Sequence, residues 1–102
     1  GRLIIIVVSS EEEEELEKKA RKFYNILMTG LNSGTNPNGN EFVSEPFKAP
    51  IYKINGRYRY QIFVKFNRKN ITKVKNVIRK AMNEYKEKKT RISVDVDPVS
   101  ML

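Results

Sequence analysis

Two arginines and a glutamine, Arg57, Arg59 and Gln61, alternate along one short segment and are the side chains best suited to chemistry in this chain. In a β-strand they would share one face, with Tyr58 and Tyr60 on the other. The Cα atoms of Arg57 and Gln61 would lie roughly 13 Å apart. A guanidinium can bind a carboxylate through two parallel hydrogen bonds, and a carboxamide both donates and accepts. The pattern predicts an anion-binding surface and favours a binding module over a catalytic centre.

The composition excludes several kinds of active site. The chain of 102 residues contains no Cys and no His, so it offers no disulfide, no thiolate zinc site and no imidazole catalyst. This length predicts a single domain spanning residues 1–102, with roughly two-thirds of its unfolded surface buried. The apolar run at residues 3–8 is far shorter than the ~20 residues of a membrane span, and it lacks the features of a signal peptide. We therefore expect a soluble intracellular protein that makes no membrane contact.

Positive charge is concentrated in the second half of the chain. The formal net charge is +8, and residues 48–91 hold fifteen Lys and Arg against two Glu, an excess of 13. Residues 1–30, in contrast, hold five basic and six acidic side chains. A solvated, lysine-rich surface is one explanation, and a surface that binds a polyanion is the other. The excess is larger than solubility requires, which favours the polyanion.

The first third of the chain predicts a buried strand and then a helix. Residues 3–9 are almost all β-branched and are apolar on both faces, which is typical of a central strand. Ser10 and Glu13 match a helix capping box, and the acidic run 11–15 suits the positive end of a helix. That run could instead be an acidic interaction motif, but the structural role is favoured. Helical spacing predicts a buried stripe of five residues: Leu16, Ala20, Phe23, Leu27 and Leu31.

The middle of the chain predicts a loop and a hairpin. Residues 32–40 are rich in Asn and Gly and predict a flexible loop. Residues 42–54 predict an edge strand that is kinked or bulged, because its two prolines cannot donate to a ladder. Asn55-Gly56 predicts a tight turn, since both positions tolerate positive φ, and residues 57–66 return as the next strand.

The last third predicts a second helix and a closing strand. The helix would run from about residue 69 to residue 85 and bury an apolar stripe: Ile71, Val74, Val77, Ile78, Ala81 and Tyr85. Residues 91–97 predict a strand with Ile92, Val94 and Val96 toward the helices. The order β-α-β-β-α-β is the split βαβ arrangement (ferredoxin-like), an α+β fold with both helices on one face of a four-stranded antiparallel sheet.

The other face of that sheet would remain open and, in this sequence, partly apolar. We expect Ile4, Ile6, Val8 and Phe63 to project onto it. An apolar patch on an open sheet face indicates a docking surface. The chain is therefore predicted to be one module of a larger protein and to dock against the rest of it there.

Three motifs, in this order, resemble a known family. They are Glu45-Pro46-Phe47-Lys48-Ala49-Pro50-Ile51, Gly56-Arg57-Tyr58-Arg59-Tyr60-Gln61 and Val94-Asp95-Val96-Asp97-Pro98-Val99-Ser100-Met101-Leu102. Together they resemble the C-terminal domain of the bacterial primosomal protein N′ (PriA) family of replication restart helicases, over most of residues 2–102. Glu45 stands where the family usually has Gly, and Lys48 where it usually has Pro, which bears on the path of the edge strand.

The resemblance implies a C-terminal module of an ATP-dependent 3′→5′ DNA helicase that recognises abandoned replication forks. It implies a fold similar to ribosomal protein S10, contact with branched or forked DNA, and packing beside the helicase lobes. The partners it implies are other primosome proteins and the acidic C-terminal tail of single-stranded DNA-binding protein (SSB). ATP and zinc would be bound by other domains of the parent, so no enzyme activity, metal or cofactor is expected of this chain. The implied location is cytoplasmic and nucleoid-associated.

Two sets of site residues follow. The resemblance implies that Arg57 and Gln61, with Arg59 between them, line the pocket for the SSB tail; the alternative is that these side chains are merely solvated. The charge pattern predicts a DNA phosphate surface around the second helix: Lys65, Arg68, Lys69, Lys73, Arg79 and Lys80. Asp95 and Asp97 could form a carboxylate pair, but without a third ligand a structural role is favoured.

Two RNA-binding alternatives remain open from the residues. The strand order and residues 63–66 fit an RNA-recognition motif, although Gln61 takes an aromatic position and residues 3–8 lack an aromatic. Ribosomal protein S10 itself is the second alternative, but it would want a longer and more basic hairpin loop than Asn55-Gly56. A small-molecule enzyme is disfavoured by the missing His and Cys.

Overall fold

The computed structural model describes residues 1–31 and 41–96; the loop predicted at 32–40 and the end of the chain from Asp97 lie outside the described residues. The elements are β1 (Arg2–Ser10), α1 (Leu16–Leu31), β2 (Glu41–Val43), β3 (Phe47–Ile54), β4 (Arg57–Phe66), α2 (Ile71–Glu84) and β5 (Thr90–Val96). A short 3₁₀ turn, Arg68–Asn70, leads into α2. The predicted α+β class, with two helices and an antiparallel sheet, is confirmed.

The sheet is built around β1, which pairs antiparallel with β4 on one side and with β5 on the other. Both β2 and β3 pair with β4, so they lie one after the other along its second side. The sheet thus has five strands where four were expected. The predicted edge strand is broken into two strands, and the break begins at Ser44. There Ser44 N donates to the Phe63 carbonyl, while Phe63 N donates to the Ser44 side-chain Oγ and not to a backbone carbonyl, so the ladder is not continuous.

The predicted bulge and hairpin are present in β3 and β4. The β3 register jumps from Lys48 opposite Tyr60 to Lys53 opposite Tyr58, so extra β3 residues are looped out between them. Asn55 and Gly56 have φ of 52° and 78°, the positive values that a two-residue hairpin turn needs.

Helix α1 begins at Leu16, several residues later than the capping box predicted. Ser10 cannot cap a helix because it is still paired within the sheet, opposite Tyr58 and Thr90. Its hydroxyl accepts instead from Glu12 N. The acidic run 11–15 therefore forms a loop ahead of the helix rather than its first turn, and placing it in that turn was wrong.

Both helices pack on one face of the sheet. The predicted stripe of α1 is fully buried, while α2 buries Val74, Ile78 and Ala81, and Tyr85 follows it into the core. Ring centroids of Phe23 and Tyr85 lie 5.4 Å apart in an edge-on contact between the two helical segments. Ile71 and Val77 are half-buried against this core.

The expectation that Ile4, Ile6 and Val8 project onto the open face is wrong. Residues directly opposite each other in a ladder point to the same side, and these three lie opposite Val64, Ile62 and Tyr60, respectively. All six side chains belong to the core beneath the helices. When the residues on both faces of a strand are apolar, the sequence does not indicate which face is turned toward the core.

Candidate binding surfaces

The open face of the sheet carries the predicted row of β4 side chains: Arg57, Arg59, Gln61, Phe63 and Lys65. All but Arg57 have partners on β1, and these are odd-numbered residues, including Leu3, Ile5 and Val7, on the face opposite the core set. Phe63 is thus placed as expected.

An apolar area, called the open-face patch here, adjoins this row; it comprises Leu3, Ile5, Phe42, Phe47 and Phe63. The rings of Phe47 and Phe63 meet edge to face with centroids 4.9 Å apart. Phe42 is 59% exposed, high for a phenylalanine. Aromatic side chains of this kind are typical of surfaces that another protein covers.

Arg57 is held in a fixed orientation by the end of β1. Its Nε donates to Ser9 Oγ at 3.1 Å and its Nη2 to the Ser9 carbonyl at 3.0 Å. Its Nη1 lies 3.7 Å from the Glu11 carboxylate, an ion pair too long for a hydrogen bond. The Arg57 side chain is 18% exposed and that of Glu11 78%. The guanidinium is therefore held within the surface, whereas the Glu11 carboxylate can move away into solvent.

Arg57 lines a cleft of about 390 Å³ at the end of the sheet. Two acidic and three basic side chains, Arg57 among them, form its walls together with Thr90. Lys89 and Arg91 supply the other cations, and Glu11 and Glu12 the acids. Glu12 accepts from Lys89 at 3.2 Å. The sequence analysis did not identify these cleft residues. Arg91 reaches the cleft through the register of the sheet: it lies on β5 opposite Ser9 of β1, the residue that binds Arg57.

The structure does not bring Arg59 to the same cleft. Arg59 Nη1 donates to the Ile51 carbonyl in the β3 bulge at 2.9 Å, on the other side of β4 from Ser9. Gln61 lies between Val7 and Phe47 in the ladder and is half-buried. Its side-chain carboxamide makes no hydrogen bond within residues 1–31 and 41–96. The two guanidiniums therefore splay apart, with an available amide beyond them.

The six basic residues predicted to contact DNA fall on more than one surface. Lys65 points to the open face, opposite Leu3. Lys80 lines a cleft between the helices beside Gly30, whereas Arg79 lines a groove between α2 and β5. Arg68 and Lys69 are exposed in the turn before α2.

Lys73 is occupied by a structural contact. The Glu41 carboxylate, 1% exposed, lies 3.5 Å from Lys73 Nζ and accepts from Asn70 Nδ2 at 2.8 Å. A buried carboxylate needs such partners, so Lys73 ties β2 to the start of α2.

The tyrosines of β4 lie on the core side of the strand, opposite the face that carries Arg57 and Arg59. Tyr60 is buried and Tyr58 half-buried, and the ring of Tyr52 contacts both, with centroids 5.3 Å from Tyr58 and 5.9 Å from Tyr60. Lys53 Nζ covers the Tyr58 ring at 4.9 Å. Burial and a hydrogen bond to Glu13 raise the pKa of Tyr52 to about 12.

Within the described residues, no cluster of three or more His, Cys, Asp or Glu could hold a metal ion. The described helices include none that is both long and apolar enough to cross a membrane. The class that fold and surfaces define is a small α+β domain with one helix-covered sheet face and one basic, partly apolar face.

The family model of the primosomal protein N C-terminal domain matches residues 1–99, and the chain belongs to that family. The motifs of β3, β4 and β5 thus indicated the right family, which associates the domain with the primosome and DNA replication.

Solved structures bear on the fold alone. The de novo designed protein Foldit4 has a TM-score of 0.58 at 13% identity, with 94% of each chain covered. Another designed protein, Ferredog-Diesel, has a TM-score of 0.43 at 11% identity, covering 93% of this chain and 84% of its own. No curated protein sequence matches the chain.

Proposed function

We propose that this domain receives the acidic C-terminal tail of SSB at Arg57 and binds DNA phosphates through basic side chains around α2. It would do so as the C-terminal module of a replication restart 3′→5′ helicase whose other domains bind ATP and zinc. The family assignment supports this setting. The binding roles rest on the charges and contacts described above.

One observation carries the tail site: a carboxylate already lies against Arg57. The guanidinium is fixed through Nε and Nη2, which leaves Nη1 turned toward Glu11. A ligand carboxylate in the position of Glu11 could approach to hydrogen-bonding distance and gain a charge-assisted bond from a donor that is already oriented. Gln61, further along β4, would then donate to and accept from the peptide backbone.

Arg59 has a secondary role in this proposal. It keeps the β3 bulge in place through Ile51 and adds positive potential to the face. Its own anion contact would require that bond to break.

The DNA surface is proposed around the entry to α2 and its exposed side. Arg68, Lys69 and Lys80 make no ion pair among the described residues, so their charges are available to phosphates. Lys65 and Arg79 would contribute from neighbouring surfaces, and Lys73 would share its charge with Glu41. Residues 1–31 and 41–96 show no base-reading device, so recognition would follow the shape and charge of a fork.

Contact with the helicase lobes is proposed at the open-face patch. Phe42 and the Phe47–Phe63 pair present aromatic surface there. Covering it would remove apolar area from water without disturbing the core, which lies on the other face.

Two titrations test the proposal on the same protein. Fluorescent SSB-tail peptide should bind Arg57→Ala about tenfold more weakly, since a charge-assisted contact is lost, while forked DNA should bind almost as before. Lys69→Ala with Lys80→Ala should show the reverse, with a shallower dependence of DNA affinity on salt. Equal losses in both titrations for both variants would contradict the existence of two separate sites.

A further inference from the structure

The two edges of the sheet differ in how they are protected. On the β3 side the bulge, Pro50 and the side chains of Lys48 and Lys53 prevent another strand from pairing. On the other side, β5 pairs with β1 at seven consecutive positions without a break in register. Among the described residues no strand pairs with the outer side of β5. This edge contains no Pro, Gly or bulge in Thr90–Val96.

An apolar groove runs along the same edge, between β5 and α2. It encloses about 240 Å³, and its apolar lining includes Met82, Val94 and Val96 as well as the core residues Ile4 and Ile78. Met82 is 38% exposed and Val96 42%, so both keep surface that the domain itself does not cover. The predicted inward position of Val96 is thus at the margin of the core.

Two cations flank this groove, Lys75 and Arg79. Neither forms an ion pair with any acidic side chain in the described parts of the chain. Some other cations of this domain do pair internally, as Arg57 does with Glu11 and Lys89 with Glu12. An apolar trough beside a free strand edge, with unpaired positive charge on its rim, fits a ligand that combines a backbone ladder, apolar side chains and carboxylates.

We propose that the outer edge of β5 binds an extended, acidic segment of another polypeptide by strand addition. Its backbone would pair with β5, its apolar side chains would enter the groove beside Met82 and Val94, and its carboxylates would meet Lys75 and Arg79. This surface lies on the helix side of the sheet, whereas the Arg57 side chain lies on the other face, so the proposal does not depend on the tail site.

A second copy of this chain fits the edge less well. Two β5 strands paired antiparallel about Ser93 would place Arg91 opposite Asp95 of the copy, which is favourable. The same symmetry would set the two α2 helices side by side on one face. Lys75 and Arg79 would then confront the same cations of the copy, with no acid between them. The positive rim therefore favours an acidic partner over self-association.

The test uses the full chain and a synthetic peptide in which Asp, Val, Val and Asp alternate with Thr, so that these four side chains share one face. Binding should slow hydrogen exchange at β5 amides and shift amide signals of β5 and α2. A peptide with Lys in place of Asp, and one with Pro in place of the central Thr, should each bind at least about tenfold more weakly. The first lacks the carboxylates and the second lacks a backbone donor.

Charge reversal at the rim supplies the matched pair of variants. Arg79→Glu should weaken binding of the Asp peptide about tenfold or more. Lys86→Glu, which makes the same change in net charge at an exposed residue outside the groove, should change it less than twofold. Equal losses for the two variants, or signal shifts confined to β4 around Arg57, would overturn the proposal. So would a concentration-dependent dimer that protects the β5 amides without any peptide, since the occupant would then be a second copy.

Discussion

Removing the carboxylate of Glu11 should strengthen the binding of an acidic peptide at Arg57. In the free domain Glu11 occupies the position proposed for the ligand, 3.7 Å from Nη1. Any acidic ligand must displace it and also approach the remaining negative charge of residues 11–15. Glu11→Gln removes the first cost and lowers the second by one charge, while keeping the size of the side chain.

The structure sets the size of the gain. A solvent-exposed ion pair contributes about 0.2–1 kcal/mol, and the low exposure of the Arg57 side chain places this pair toward the upper end. Affinity should therefore rise by up to about fivefold in Glu11→Gln. In the Glu12–Lys89 pair the cation is far more exposed than Arg57, so adding Glu12→Gln should raise the combined gain to no more than about tenfold.

Glu14→Gln is the control, because it removes one charge from the same loop but Glu14 forms no ion pair in the described residues. Fluorescence anisotropy with SSB-tail peptide, at low and at physiological salt, measures all three variants. If Glu14→Gln matched Glu11→Gln, general repulsion would account for the gain, and no displacement would be needed. An unchanged or weaker affinity in Glu11→Gln would refute the idea that Glu11 occupies the ligand's position.

Three further predictions concern stability. Gly30→Ala should lower the free energy of unfolding, because the new Cβ would lie 2.7 Å from Val77 Cγ1. Such overpacking costs about 1–3 kcal/mol, against a helix-propensity gain of about 1 kcal/mol. In a chain that already carries Val77→Ala, which removes the clash, adding Gly30→Ala should show that gain in denaturant melts. Lys73→Glu should cost about 1–3 kcal/mol because it faces the buried Glu41 carboxylate, and Glu41→Gln should relieve the loss when the two are compared by thermal unfolding. Burial, and after it the charge of Glu87, raises the pKa of Tyr85 from 10.0 to about 12. The neutral phenol therefore contributes its full stabilisation of the fold below about pH 10, and this stabilisation is lost as the pH rises toward about 12. Denaturation at a series of pH values should show a smaller fall in the free energy of unfolding for Tyr85→Phe than for the unchanged protein.

The sequence predicted the elements whose signals are local. Helical spacing identified every buried residue of α1, and Asn55-Gly56 fixed the hairpin because a tight turn needs positive φ at both positions. The bounds of β4 were also right, since the turn defines one end. Prolines correctly indicated an interrupted edge, although not that Ser44 would split it into two strands.

Non-local pairing decided the features that the sequence could not predict. The phase of β1 depends on its register with β4, and an all-apolar strand gives no preference, so Ile4, Ile6 and Val8 were assigned to the wrong face. Ser10 has the type and spacing of a helix cap, but the ladder with β4 and β5 extends through it. Tertiary pairing therefore overrode a local capping signal that would have been sound in an isolated segment.

That one displacement of the helix start determines the chemistry of the proposed tail site. Had α1 begun at the capping box, the acidic run would have faced its own helix end, where it would have complemented the backbone dipole. Because β1 continues through Ser10, the run instead turns over the end of the sheet, where Glu11 meets Arg57 and Glu12 meets Lys89. The same acidic residues that resemble a helix signal would thus compete internally with an acidic ligand at the proposed site. Under the proposal, binding of an acidic ligand would exchange one carboxylate for another, so selectivity would have to come from closer geometry at Nη1 and from contacts beyond it, not from net charge.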